Sequence, residues 1–502
     1  MLRPIGAFQP RLVLPLLLLA VLAGCFGDAD RPRRRPGSAV WVGKDGGAVD
    51  ASTLRRLEEM GAGDVFLPYA ELAWESGEPR LSAAPAQELP RRSAATLVVE
   101  GPWSGEDPET AGEAFAQELK RVELEARSRG LLPTGFHLEL PAGERPDLAS
   151  LGEALARTRS SLNPEVLLSL GLAAPWLEDE SLPAVAAAVD FLVGWVYGER
   201  PEELERSGFE DERWKLSQVD LALTRLEALD TPYLVGVVTL GTALRRGGDG
   251  RVRELTHQGE LESLALSRTF RLGGEFVLSG ADCRLYDFEA QGKGRFGPWT
   301  LAAGEEVRLV ALTPSLLREY HRRREALDLS HRLGELYYRL PAAEETYSLS
   351  LDGLAASMEG GERSETLPVR VEEWSGRGGT YQLRLSLSNP LPEATEIATL
   401  DANYVEVHAK GGAFGTVGMG EFQRFQLLRR DRRGELVPTL RKPDVLRLYR
   451  AVLGPGQQVE SGTIEVQALG KEPPELRLSG RFLLASGYFL EVIEAPEPDA
   501  PP

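Results

Sequence analysis

Seven short apolar segments, separated by amphipathic ones, constrain the first half of this 502-residue chain more than any other feature. They lie at 39–42, 64–67, 96–100, 135–140, 166–172, 191–197 and 232–240. Each is apolar along its length rather than alternating, which is the pattern of a parallel strand covered on both faces. Between them, 51–60, 108–129, 147–162, 182–188 and 216–229 carry helical spacing. Gly130 closes the second of these helices, and Asp147 stands where a cap is needed on the third. Seven such units in series predict an α/β fold, a (β/α)8 TIM barrel, over an open doubly wound sheet. No GxGxxG or P-loop follows any of the strands, which weakens a nucleotide-binding reading.

The rhythm breaks after Gly241. Residues 243–312 are rich in glycine and hold alternating segments at 274–278, 284–288 and 306–312, so a β-rich insertion is expected on the loop after strand seven. A helix over 314–327, an eighth strand over 334–341 and a closing helix over 350–358 complete the barrel, which spans 38–360. Beyond a Gly, Glu and Ser-rich linker at 359–365 the period changes to two, at 381–387, 404–408, 463–466, 476–482 and 488–492. That predicts an antiparallel β-sandwich over 366–495. The Pro/Glu-rich tail 496–502 is expected to be disordered.

The N-terminus carries a different signal. Arg3 and Arg11 precede an apolar run, Leu12 to Leu22, that is shorter than the roughly 20 residues a spanning helix needs. The run ends in Leu22-Ala23-Gly24-Cys25, which resembles the lipobox of bacterial lipoproteins. That resemblance implies loss of residues 1–24, a diacylglycerol on the Cys25 thiol and a further acyl chain, such as palmitate, on the new amine. Residues 25–37 then form a Pro/Arg/Gly tether, with the basic run 31–36 within reach of lipid headgroups. Phe26 after the cysteine favours, by analogy with enterobacterial sorting, the outer membrane, facing the periplasm or the surface.

A formal charge of −19 argues against nucleic acid or an anionic membrane face as the main partner. With Cys25 acylated, the only other cysteine, Cys283, has no disulfide partner and reads as a buried thiol. The five histidines, His137, His257, His321, His331 and His408, show no ligand spacing, and neither HExxH nor CxxC occurs. No metal and no cofactor are expected.

Several strand ends together resemble an uncharacterised bacterial family, a domain of unknown function with a glycosidase-like TIM barrel. The resemblance runs over about residues 38–360. It rests on Ala39-Val40-Trp41-Val42, on Gly135-Phe136-His137-Leu138-Glu139-Leu140-Pro141, on Val237-Val238-Thr239-Leu240-Gly241 and on the Tyr-Arg-Leu-Pro ending at 338–341. The family's fourth strand carries two acids. Here the first is kept in kind as Glu139, and the second position is Pro141. The chitinase-type run of alternating acids ending in Glu is absent.

Sites in such barrels lie at the C-terminal ends of the strands. Those ends offer Trp41, Glu100, Trp103, His137, Glu139, Trp176, Trp195, Tyr197, Glu199 and Tyr338. His137 and Glu139 alternate with apolar residues and so share one face of strand four. A glycosidase needs two carboxylates about 5–10 Å apart. Glu139 with Glu100 is the best pair, and Glu139 with Glu199 the second. The aromatic residues suit the flat face of a sugar ring, and they equally suit packing at a barrel rim. The expectation is an envelope lipoprotein with a degenerate glycosidase-like barrel that binds a glycan or glycan-bearing partner. A hydrolase using Glu139 and Glu100, and a structural envelope protein without ligand, are the alternatives.

Overall fold

The computed structural model of the protein describes residues 37–494 except 44–48, 85–87, 106, 142–144, 199, 201–203, 205–215, 260–262, 265–266, 278–283, 311, 313, 341–344, 346–347, 350, 359–365, 392–394, 396–402, 431–435 and 484–488. Cys25, Cys283, Glu199, the tether and the tail therefore lie outside the described residues.

Eight parallel strands close into a barrel. They are β1 (Ala39–Trp41), β2 (Asp64–Glu75), β3 (Ala94–Glu100), β4 (Leu132–Glu139), β5 (Leu167–Ala173), β6 (Phe191–Tyr197), β7 (Tyr233–Val238) and β8 (Arg332–Tyr338). β1 pairs with β8 on one side and β2 on the other, which closes the ring. The outer helices are α1 (Ala51–Glu59), α2 (Pro108–Ser128), α3 (Leu148–Ser161), α4 (Leu182–Ala187), α5 (Leu216–Glu227), α6 (Pro314–Glu325) and α7 (Leu351–Met358). Asp147 caps α3 through Ala149 N at 3.2 Å, as its position predicts, and Asp50 caps α1 through Thr53 N at 2.7 Å.

One unit departs from the alternation. β2 runs on to Glu75 and turns back through Glu78–Ala83 as an antiparallel hairpin, so a strand stands between β2 and β3 where a helix is usual. Beyond Leu72 its residues are exposed or half-buried. That explains why only 64–67 reads as a buried strand.

Two cores sit on the two faces of the barrel wall. Leu97, Val99, Phe136, Leu138, Leu168 and Leu170 point outward to the helices. Ala39, Trp41, Phe66, Val98, Phe191, Val193, Trp195, Leu234 and Leu336 point inward and fill the lumen. The barrel is thus packed with side chains, as barrels of this size are.

The insertion folds as expected, into five antiparallel strands in the order Val252–Thr256, Thr242–Arg246, Glu306–Val310, Arg284–Ala290 and Phe270–Val277. The C-terminal region is the β-sandwich. Its eleven described strands hydrogen-bond into one sheet that folds over on itself, antiparallel except where Thr366–Arg377 meets Phe489–Glu494 in parallel. Leu367, Leu385 and Ile464 from one half pack with Val405, Leu446 and Phe482 from the other.

The barrel and sandwich cores are separate clusters. Val452 of the sandwich is the crossing point, buried in the insertion's core with Phe288, Phe296 and Trp299. Limited proteolysis is therefore expected to cut first within 359–365, with the two fragments still together on gel filtration. Val452→Asp should let the cut fragments part. A first cut inside either core, or fragments that separate without the substitution, would contradict this arrangement.

Candidate functional site

The C-terminal ends of β3, β4 and β6 meet at Glu139. Parallel register sets Glu139 of β4 beside Glu100 of β3, and Glu100 beside Glu71 of β2. Neighbouring strands lie about 4.8 Å apart, so the three acids form a row along one rim. Their surroundings differ. Glu71 is exposed, Glu100 is half-buried, and Glu139 is only 6% exposed.

Every contact around Glu139 accounts for its charge. His137 Nε2 lies 3.0 Å from Oε2, and Trp195 Nε1 donates to both oxygens at 3.1 and 3.0 Å. Arg200, itself buried, forms an ion pair with Oε1, and its guanidinium lies 4.9 Å from the centre of the Trp195 ring. His137 is fixed in turn by Ser169 Oγ, 3.0 Å from Nδ1, and Ser169 donates to the Phe136 carbonyl at 3.2 Å. Two glycines make room: a Cβ at Gly171 would collide with the Glu139 carboxylate, and one at Gly236 with the Trp195 ring. Burial pushes the Glu139 carboxyl up, but the Arg200 charge and the His137 and Trp195 hydrogen bonds outweigh it, and its pKa falls below the ordinary 4.5. A glycosidase acid needs the opposite, a carboxyl kept protonated. Glu139 is a charged, fully bonded anion.

The structure corrects four of the aromatic expectations. Trp41 and Trp195 are 2% and 1% exposed, pack edge-on at 5.9 Å and surround His137 with Phe66. They fill the lumen and present no face to a ligand. Tyr197 points the other way and stacks on Tyr320 of α6 at 5.6 Å. Trp176 lies in a short turn, Ala174–Glu178, buried among the helices. Trp195 and Tyr197, two residues apart, reach different cores because a register irregularity between them in the pairing with β7 breaks the alternation. His137 is likewise wholly buried and reaches no solvent.

Two of the expected aromatics do reach the rim. Tyr338, half-buried, closes the lumen against Trp41 at 5.4 Å and Trp195 at 5.7 Å. Trp103, also half-buried, packs edge-on to Trp74 at 5.1 Å and to Phe115 at 5.4 Å. Trp74 comes from the extended end of β2, and its Nε1 donates to the Pro102 carbonyl at 2.9 Å. Beside Tyr338, Arg339 pairs with Glu345 at 2.6 Å, both buried. Sequence reasoning misses Arg200, Ser169, Trp74 and the Arg339–Glu345 pair. The signal for Arg200 is thin: one cation beyond an apolar strand, next to an acid that draws the attention. Among the described residues, no group of three or more His, Cys, Asp or Glu is placed to hold a metal ion.

No family model and no curated protein matches this chain. Solved structures do resemble it. The spore cortex-lytic enzyme SleL of Bacillus cereus is similar at 11% identity with a TM-score of 0.39, over 62% of this chain and 74% of that one. A GH18 chitinase from Cycas revoluta, solved with (GlcNAc)3, is similar at 12% identity with a TM-score of 0.36, over 64% of this chain and 100% of that one. A fungal endo-beta-N-acetylglucosaminidase of glycosyl hydrolase family 18 is similar at 16% identity with a TM-score of 0.27, over 41% and 78%. At these identities none of them carries its activity over to this chain.

Removing one partner of a buried ion pair costs about 3–5 kcal/mol. Glu139→Gln and Arg200→Met should each lose stability of that order in urea unfolding. Because the folded pKa of Glu139 is depressed, its contribution is complete above the ordinary 4.5 and is lost as pH falls through the folded value. Acid unfolding of Glu139→Gln should therefore lack that part of the acid limb. A variant as stable as the parent, with the same acid limb, would show that the pair does not form.

Proposed function

We propose that this protein is an envelope lipoprotein, held on the outer membrane through Cys25, whose barrel binds a glycan or glycan-bearing partner without hydrolysing it. The observation that carries the non-hydrolytic part is the full occupation of Glu139. Both oxygens are bonded to Trp195, His137 or Arg200, and the residue is only 6% exposed. Hydrolysis requires a proton donor and a second carboxylate that touch the substrate. Binding requires less. The rim keeps the Tyr338 ring, the Trp103 and Trp74 pair and the Glu100 carboxylate partly open, and aromatic faces beside a few polar groups are what sugar rings take.

A second reading keeps some support. Glu100 and Glu139 stand in register on adjacent strands, which lie about 4.8 Å apart, and a retaining glycosidase holds its two carboxyl groups about 5 Å apart. In that reading Glu100 donates the proton, and Glu139 must first leave Arg200. That exchange would break a buried ion pair, which costs several kcal/mol.

Screening the purified full chain against envelope polysaccharides tests both readings. Tyr338→Ala and Trp103→Ala should each weaken binding several-fold, as expected for the loss of about 1 kcal/mol of stacking, with no new reducing ends from the parent. Turnover that disappears in Glu100→Gln would establish the hydrolase, and no binding to any glycan would leave a structural envelope protein. On fractionation in high salt, Cys25→Ser should move the chain from membranes to the soluble fraction, and retention would refute the anchor.

A further inference from the structure

The outermost hairpin of the sandwich has a composition unlike the rest of the chain. It pairs Arg424–Arg430 with the edge strand Leu436–Pro438 and ends the sheet. Over 424–442 the sequence holds Arg424, Arg429, Arg430, Arg432, Arg433, Arg441 and Lys442 against Asp431 and Glu435, seven cations to two acids, in a protein of formal charge −19. The same stretch carries three of the most exposed large apolar side chains of the described residues: Leu440 at 89%, Val437 at 39% and Phe425 at 38%.

These side chains are held in place. Val437 lies opposite Arg429, and Phe425 follows on the same face of the strand. Thr439 N donates to the Leu427 carbonyl at 3.0 Å, and Arg441 N donates to Thr439 Oγ1 at 3.1 Å. Asp444 N donates to the Leu428 carbonyl at 3.2 Å. The turn is therefore built to hold Leu440 out, flanked by Arg441 and Lys442.

We propose that this hairpin is a second membrane contact, inserting Leu440 and Val437 at the surface of an anionic bilayer while Arg429, Arg441 and Lys442 meet the headgroup phosphates. Charge complementarity selects this occupant. Cations ringing a small apolar tip match an interface that is negative at headgroup depth and apolar just below, and they match a neutral or acidic protein surface less well. The chain's overall negative charge keeps its other faces away from the same surface, so the hairpin also sets orientation. The contact does not depend on the lipid at Cys25, nor on glycan binding in the barrel.

The test uses the full chain carrying Cys25→Ser and Leu440→Trp, with vesicles of phosphatidylcholine alone or containing phosphatidylglycerol. Brominated acyl chains should quench the introduced indole only in the phosphatidylglycerol vesicles, and added salt should reverse it. Arg441→Glu with Lys442→Glu should lower the vesicle-bound fraction about tenfold or more. Leu440, Arg441 and Lys442 are exposed, and unchanged thermal unfolding confirms that the variants fold. Absence of quenching in the folded chain, equal binding to neutral vesicles, or indifference to the charge reversal would overturn the proposal. So would binding of polygalacturonate without quenching, which would assign the basic residues to an acidic polysaccharide instead.

Discussion

A carboxylate shut away from water must be neutralised or give up its charge, and the upper end of this barrel is arranged around that requirement at Glu139. Arg200 supplies the opposite charge, Trp195 supplies an indole N–H to both oxygens, and His137 supplies a ring nitrogen. Each helper then needs its own support. Ser169 orients His137, Gly236 leaves room for the Trp195 ring, and Gly171 leaves room for the carboxylate. Trp41, Phe66 and Tyr338 close the remaining space. Taking away one partner leaves the others buried with that bond unmade, which is why such a network is costly to break.

The same network decides what the barrel mouth can do. A general acid must keep its proton at working pH, and Glu139 sits among groups that strip it. Tyr338, the Trp74 and Trp103 pair, and Glu100 stay half-buried, and the proposed glycan binding rests on them. The hairpin that replaces a helix after β2 matters here, because it carries Trp74 over the loop that follows β3.

Much of the fold was readable before the structure. Parallel strands buried on both faces must be apolar throughout, so the barrel strands stood out, and the strict alternation of 380–388 and 404–410 marked the sandwich. Strands at 412–417, 424–430 and 445–449 were passed over. Arg-Phe-Gln-Leu-Leu-Arg-Arg at 424–430, next to the edge strand, does not alternate: Leu427 and Leu428, adjacent in sequence, both turn from solvent, and Phe425 is exposed. The site was half readable. Period two puts His137 and Glu139 on one face, but it does not say whether that face looks into an open mouth or a filled lumen. Arg200 fills it from 61 residues away in sequence, and no local pattern predicts such a pairing. The tryptophans misled for the same reason: an indole at a strand end serves packing or a ligand, and only burial tells which.

The central claim, that Glu139 is held as a buried anion, is open to one direct observation. Infrared difference spectra between the parent and Glu139→Gln, recorded from neutral pH down toward the acid transition, isolate the stretch of this single carboxyl. The account predicts a carboxylate band that persists below pH 4.5, with no protonated carboxyl band while the protein remains folded. A protonated carboxyl band at neutral pH would contradict it, and would return Glu139 to the role of a proton donor.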